Sequence, residues 1–186
     1  MLNPHITQDP QPVQQGSFDR LCGIYSILNA ILWIDLNSRH LRQRFFDSGL
    51  DFLISKNKLN SVMLSGMTRK VWMKVSHRIL AERNRLSHDQ LELCRISHSR
   101  RDSSKATWRD VADCTDSGWP VLAHLEGAYD HFTVISHITP KRVVLFDSDG
   151  LHWLQRRSCG ISGRDASKRF WIKPNSLVAL RPKSKF

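Results

Sequence analysis

Apolar residues recur along this chain with two different periods, and the change from one to the other divides it. From Ile24, the positions Ile27, Leu28, Ile31 and Leu32 follow at steps of three and four. That spacing predicts a helix with one buried face. A second helical pattern begins near Ser38, with Leu41, Phe45, Phe46 and Leu50. A third runs from Met63 to Leu80, with Val71, Val75 and Ile79 on one stripe. Leu91 to Ile96 alternates as a strand does. Residues 97–105 are polar and charged and read as an exposed loop. Thr107 to Asp113 reads as a short helix, Gly118-Trp119-Pro120 as a turn, and Val121-Leu122-Ala123 as a buried strand. Residues 131–136 and 142–147 read as two strands joined at Thr139-Pro140. A helical first half and a sheet-forming second half predict an α+β domain.

The hairpin carries a register expectation. Centred on Thr139, it sets Val143 against Ile135, Leu145 against Thr133 and Asp147 against His131. Direct partners of an antiparallel pair share a face, with Cβ atoms about 4.5–5.5 Å apart. This register puts a carboxylate beside an imidazole, and a slip of one residue would part them. The opposite face would pair Phe132 with Phe146 and Val134 with Val144.

Cys22 adds a nucleophile. A polar stretch, Gln14-Gln15-Gly16-Ser17-Phe18-Asp19-Arg20, leads into Leu21-Cys22-Gly23 and then at once into the first helical pattern. Cys22 falls in the first helical turn, where unsatisfied N–H groups and the helix dipole favour a thiolate. Gly23 is expected to leave room for a substrate backbone beside the sulfur. Cys22, His131 and Asp147 are then the parts of a thiol nucleophile, its base and the group that orients the base.

The order of these parts resembles the papain-like cysteine peptidases. The matching stretches are the loop, Cys-Gly and helix at residues 14–35, and residues 107–150, from Thr107-Trp108-Arg109-Asp110 through Asp130-His131-Phe132-Thr133 to Phe146-Asp147-Ser148-Asp149-Gly150. It is most similar to the bacterial branch that includes the double-glycine leader peptidases of bacteriocin exporters. Residues 165–180 fit its closing strands, and residues 36–106 match no known part. The resemblance implies a papain-like fold, with Cys22 as nucleophile, His131 as general base and acid, and Asp147 as orienter. It also implies a Gln whose side-chain amide helps form the oxyanion hole. The usual place, six residues before the Cys, is Gly16 here. One inserted loop residue makes Gln15 the donor, ahead of Gln14, with the Cys22 backbone N–H as the second donor. Glycine-containing sites in a peptide substrate follow from the same resemblance.

Composition changes the picture in three ways. At 186 residues with 40% hydrophobic content, the chain is of single-domain size, read as one domain over 1–186 with an extended arm at 1–13 and a basic tail at 181–186. No apolar run is long enough to span a membrane, and the polar N-terminus, with Pro4, Pro10 and Pro12, lacks a secretory signal. The four cysteines, at 22, 94, 114 and 159, show no metal-ligand spacing beyond the weak pair Cys94 and His98, so no metal or cofactor is expected. A reduced, cytoplasmic protein is the simplest reading, with export as an effector left open. Lys and Arg total 28 against 17 Asp and Glu, a formal net charge of +11. The cations cluster at Arg95 to Arg109, at Arg156-Arg157, at Lys168-Arg169 and in the tail. Such a surface favours an acidic partner, whether nucleic acid, anionic lipid or an acidic protein, and no nucleic-acid motif accompanies it.

Three readings follow. The first is a cysteine peptidase acting through an acyl-enzyme on a polypeptide, acidic or glycine-containing. The second is a deamidase or acyltransferase with the same triad. The third is a basic binding module in which the triad is silent.

Overall fold

The computed structural model describes residues 10–16, 19–96, 104–161 and 167–184. Among them are five α-helices and a sheet of eight strands, a mixed α+β arrangement. The helices are α1 (Cys22–Ile34), α2 (Arg42–Ser55), α3 (Leu59–Ser65), α4 (Arg69–Leu86) and α5 (Ser104–Asp116). A 3₁₀ turn, Leu36–Leu41, leads into α2. The strands are β1 (Leu91–Arg95), β2 (Val121–Gly127), β3 (His131–Ile138), β4 (Arg142–Leu145), β5 (Trp153–Gln155), β6 (Cys159–Ile161), β7 (Phe170–Ile172) and β8 (Val178–Pro182). Their order is β1-β8-β2-β3-β4-β5, with β7 also on β2 and β6 on β7. Every pair is antiparallel except β6 with β7.

Helix α1 is buried on nearly all sides, from Gly23 to Leu32 except Tyr25. An apolar helix of that kind belongs between layers. It packs on α2 and α4 on one side and on β2, β3 and β8 on the other. Alternation along the strands then sorts the core in two. Leu122, Phe132, Val134, Phe146 and Leu180 join α1, α2 and α4. Val121, Ala123, Leu125, Ile135 and Leu145 join Trp108 and Val111 of α5. Each fully buried Leu, Ile or Val contributes about 1.5–3 kcal/mol of transfer free energy.

The apolar stripe from Met63 to Leu80 belongs to two helices instead of one. Gly66, at φ 76°, ends α3 in a conformation that disfavours a side chain. Thr68 starts α4 by accepting the Val71 N–H at 3.4 Å. The strand at Leu91 is present, whereas Ser104 and Lys105, expected in a loop, open α5; residues 97–103 lie outside the described residues, as does His98 of the weak cysteine–histidine pair. The tail is also partly strand. Arg181 and Pro182 belong to β8, and Arg181 pairs with Glu92 at 2.9 Å. The described part of the N-terminal arm is fastened down. The buried Asn29 of α1 accepts the Val13 N–H at 2.7 Å and donates to the Val13 carbonyl at 3.2 Å.

The β3–β4 register departs from the one expected. Observed partners are Ile138 with Val143, His137 with Val144, and Ile135 with Leu145. The two-residue loop is Pro140-Lys141, because the Thr139 side chain accepts the Lys141 and Arg142 N–H groups and moves the turn along the chain. That shift alone would put Asp147 opposite Val134, on the wrong face. A bulge at Ser136 adds one residue to β3 and restores the parity. The Phe146 N–H then bonds the Val134 carbonyl at 2.9 Å, and continuing the ladder sets Asp147 across from Thr133. Asp147 is therefore the diagonal neighbour of His131, not its direct partner. The expected pairing of Val134 with Val144 is lost, while Phe132, Val134 and Phe146 do share the α1 core.

Candidate active site

Three elements converge at one end of the sheet. His131 begins β3, Asp147 lies just past the end of β4, and Cys22 is the first residue of α1. His131 and Asp147 are buried, 4% and 3% exposed, while Cys22 is half-buried. Cys22 is thus the most exposed of the three.

The His131 Nε2 lies 2.8 Å from Asp147 Oδ2. The other Asp147 oxygen is occupied as well. Oδ1 accepts the N–H of Asp149 at 2.8 Å and of Leu151 at 3.4 Å, in a turn where Gly150 adopts φ 78°. With both oxygens engaged the carboxylate cannot rotate freely. Its engagement of Nε2 leaves His131 Nδ1 for Cys22. Burial opposes charge on His131, but the hydrogen-bonded Asp147 and the neighbouring Cys22 outweigh it and raise the imidazole from 6.5 to about 9. Burial likewise opposes charge on Asp147, and the His131 hydrogen bond and charge and the Asp149 N–H hold its carboxyl below the usual range. The charged imidazole is thus favoured at neutral pH. Helix α1 has no acidic side chain in its first turn, so the positive end of its dipole faces the sulfur unopposed by its own helix.

Gly23 serves a different purpose from the one expected. A Cβ there would lie 2.8 Å from Met67 Sδ and 2.9 Å from Trp72 Cδ1. The space beside it is filled by the core next to Cys22, not left open. Trp72 is fully buried, donates its indole N–H to Ser26 Oγ at 3.0 Å, and lies 4.5 Å from the Phe132 ring. The turn bearing Cys22 is thereby seated on a rigid base next to β3.

The loop before Cys22 is tied to the loop after Asp147. The Gln15 N–H donates to the Ser148 carbonyl at 2.9 Å, and the Ser148 hydroxyl donates to Gln15 Oε1 at 3.3 Å. The Gln15 side-chain amide donates to the Asp19 carbonyl at 3.4 Å. Gln14 is exposed and donates to the Asp147 carbonyl at 3.3 Å. Both glutamines are therefore beside the Asp147 loop, and no hydrogen bond joins either to Cys22 among the described residues.

Two further residues organise the site. Asp19 accepts the Gly16 N–H at 2.8 Å, the Leu21 N–H at 3.1 Å and the Tyr25 hydroxyl at 3.3 Å. Burial, then Asp19, push the Tyr25 phenol up to about 12. Tyr129 lies with its ring 5.0 Å from the His131 ring and donates its hydroxyl to Asp149. It covers the imidazole and is anchored to the same turn that holds Asp147. A local clue existed for Asp19, an Asp three residues before the first residue of the helix, but the Tyr129 bond to Asp149 spans 20 residues and had none.

Among the described residues no cluster of three or more His, Cys, Asp or Glu side chains suits a metal ion, and no helix is long and apolar enough to cross a membrane. Compared with protein-family models, with curated proteins and with solved structures, the chain matches none.

Proposed function

We propose that this protein is a cysteine peptidase of papain-like design, with Cys22 as nucleophile, His131 as acid and base, and Asp147 as orienter. The observation that carries the reading is the buried imidazole held between a fixed carboxylate and a half-open thiol at a helix start. The Cys22 sulfur attacks the carbonyl carbon of a peptide bond. The oxyanion so formed is met by the Cys22 backbone N–H and, with a turn of its amide, by Gln15. His131 gives its proton to the leaving amine, the C–N bond breaks, and a thioester remains on Cys22. Water, deprotonated by His131, then attacks the thioester, releases the acid and restores the thiol. Asp147 keeps Nε2 engaged throughout, so Nδ1 stays aimed at the sulfur.

The test is to incubate wild-type protein and Cys22→Ala with a proteome and map new protein termini. New termini made only by the wild type are the expected result. Their absence overturns the peptidase reading, and a gain of about one dalton at substrate glutamines would instead indicate deamidation by the same acyl chemistry.

A further inference from the structure

A concave site lies at the end of the β3–β4 hairpin away from His131. It is a groove of about 550 Å³ lined by Ser104, Trp108, Pro140, Arg156, Arg157 and Lys168, among others. At about 3.3 Å per residue, β3 sets its Pro140 rim roughly 25 Å from His131. Among the described residues, the three cations of the groove are held by neutral partners. Arg156 lies over the Trp108 ring at 5.4 Å and donates to the Thr139 carbonyl at 3.4 Å. Arg157 donates to the Gln155 side-chain oxygen at 3.0 Å. Lys168 donates to the Arg157 carbonyl at 3.0 Å, and its stem runs over Gly160, where a Cβ would lie 3.0 Å from Lys168 Cγ. Among the described residues none of the three forms an ion pair with a carboxylate, although nine such pairs or His–carboxylate contacts occur elsewhere. Three positioned charges in one groove, with no carboxylate partner among the described residues, form a site for anions.

We propose that this groove docks an acidic segment of a polypeptide, carrying Asp, Glu or phosphorylated side chains, apart from the triad. Guanidinium groups match carboxylate and phosphate alike. Single-stranded nucleic acid binds largely by stacking bases on open aromatic faces. Here the aromatic ring that lines the groove already carries a guanidinium, Trp108 under Arg156. Trp108 is also buried, at 6% exposure. The groove therefore offers charge without a place for bases. A segment bound there and a scissile bond at Cys22 would be joined by about eight extended residues.

The test is fluorescence anisotropy of labelled decapeptides, one rich in Glu and one in phosphoserine, titrated with the full chain. The Cys22→Ala protein is used throughout, so binding is read whether or not the peptidase reading holds. Binding of either peptide, weakened about tenfold or more in the double variant Arg157→Gln, Lys168→Gln, is the expected result, and the tighter peptide names the source of charge. A control double variant, Lys56→Gln with Lys58→Gln, removes equal charge from an exposed stretch. Equal weakening in the two double variants would mean diffuse attraction and overturn the site. So would tighter binding of a single-stranded oligonucleotide of equal charge at the same salt concentration.

Discussion

A thiol is a nucleophile to the degree that its surroundings favour the thiolate, and the four cysteines stand in different surroundings. Burial, with nearby Cys94, Asp110 and Asp113, raises the Cys114 thiol, and burial raises Cys159 to about 11. Cys22 has a helix start and a protonated imidazole beside it. Iodoacetamide near pH 6.5 is therefore expected to label Cys22 before the others, and His131→Ala should remove that preference. Peptide mapping by mass spectrometry reads both, and equal labelling of all four thiols would count against the assigned nucleophile. Gln15 is the next residue to test. Loss of one oxyanion donor lowers turnover by about 10²–10³. Gln15→Ala should show that loss with alkylation of Cys22 unchanged, while Gln14→Ala should do little. Full activity in both variants would assign the hole to backbone N–H groups.

At the scale of elements, the first turn of α1 must sit close on α4 and β3. Gly23 permits this, because Met67 and Trp72 occupy the space a side chain would take. Met67 is unbranched and can adapt. Trp72 is fully buried and tethered to Ser26, so it cannot. Gly23→Ala should destabilise the protein by about 1–3 kcal/mol through overpacking, read by urea denaturation. Gly23→Ala with Met67→Ala should recover part of that loss by freeing the Sδ position, and a double variant weaker than the sum of the two singles would refute this account of the packing. The Ser136 bulge has an equivalent role in the sheet, since it returns Asp147 to the side of His131 after the turn has shifted the register.

For the whole molecule, Cys22, His131 and Asp147 lie where the helical layer meets the sheet and so link protonation to folding. His131 is raised from 6.5 to about 9, so its charge adds stability in full below pH 6.5 and loses it as pH rises through about 9. Asp147 is lowered from 3.8, so its contribution is present above that value and is lost as pH falls through the lower one. Both contributions hold together between roughly pH 4 and 6.5. In Asp147→Asn, His131 loses its main support. The decline in unfolding free energy from pH 6.5 to 9 should then be shallower than in the wild type. The net charge of +11 is nearly common to both proteins and largely cancels in the comparison. Equal slopes over that interval would show that the pair does not stabilise the fold.

The periodic spacing of Ile24, Ile27, Leu28, Ile31 and Leu32 was enough to give α1 and to put Cys22 in its first turn, because a helical face is a local property. Alternation at residues 131–136 and 142–147 was enough to give a hairpin carrying His131 and Asp147. The register was not legible there. A hydroxyl at Thr139 chose the turn and a bulge at Ser136 corrected the face, and each depends on which backbone groups meet in three dimensions. The break at Gly66 was hidden under an apolar stripe that two helices share. Gly23 was read as space for a substrate, since sequence shows that a side chain is missing but not what fills its place. The clamp by Asn29, the Tyr129 cover and the groove between Trp108 and Lys168 join positions 16 to 60 residues apart, or cross a turn, and only folding brings them together. Local periodicity set the elements and the chemical groups they carry, while the distances between those groups were set by packing, which depends on the whole chain at once.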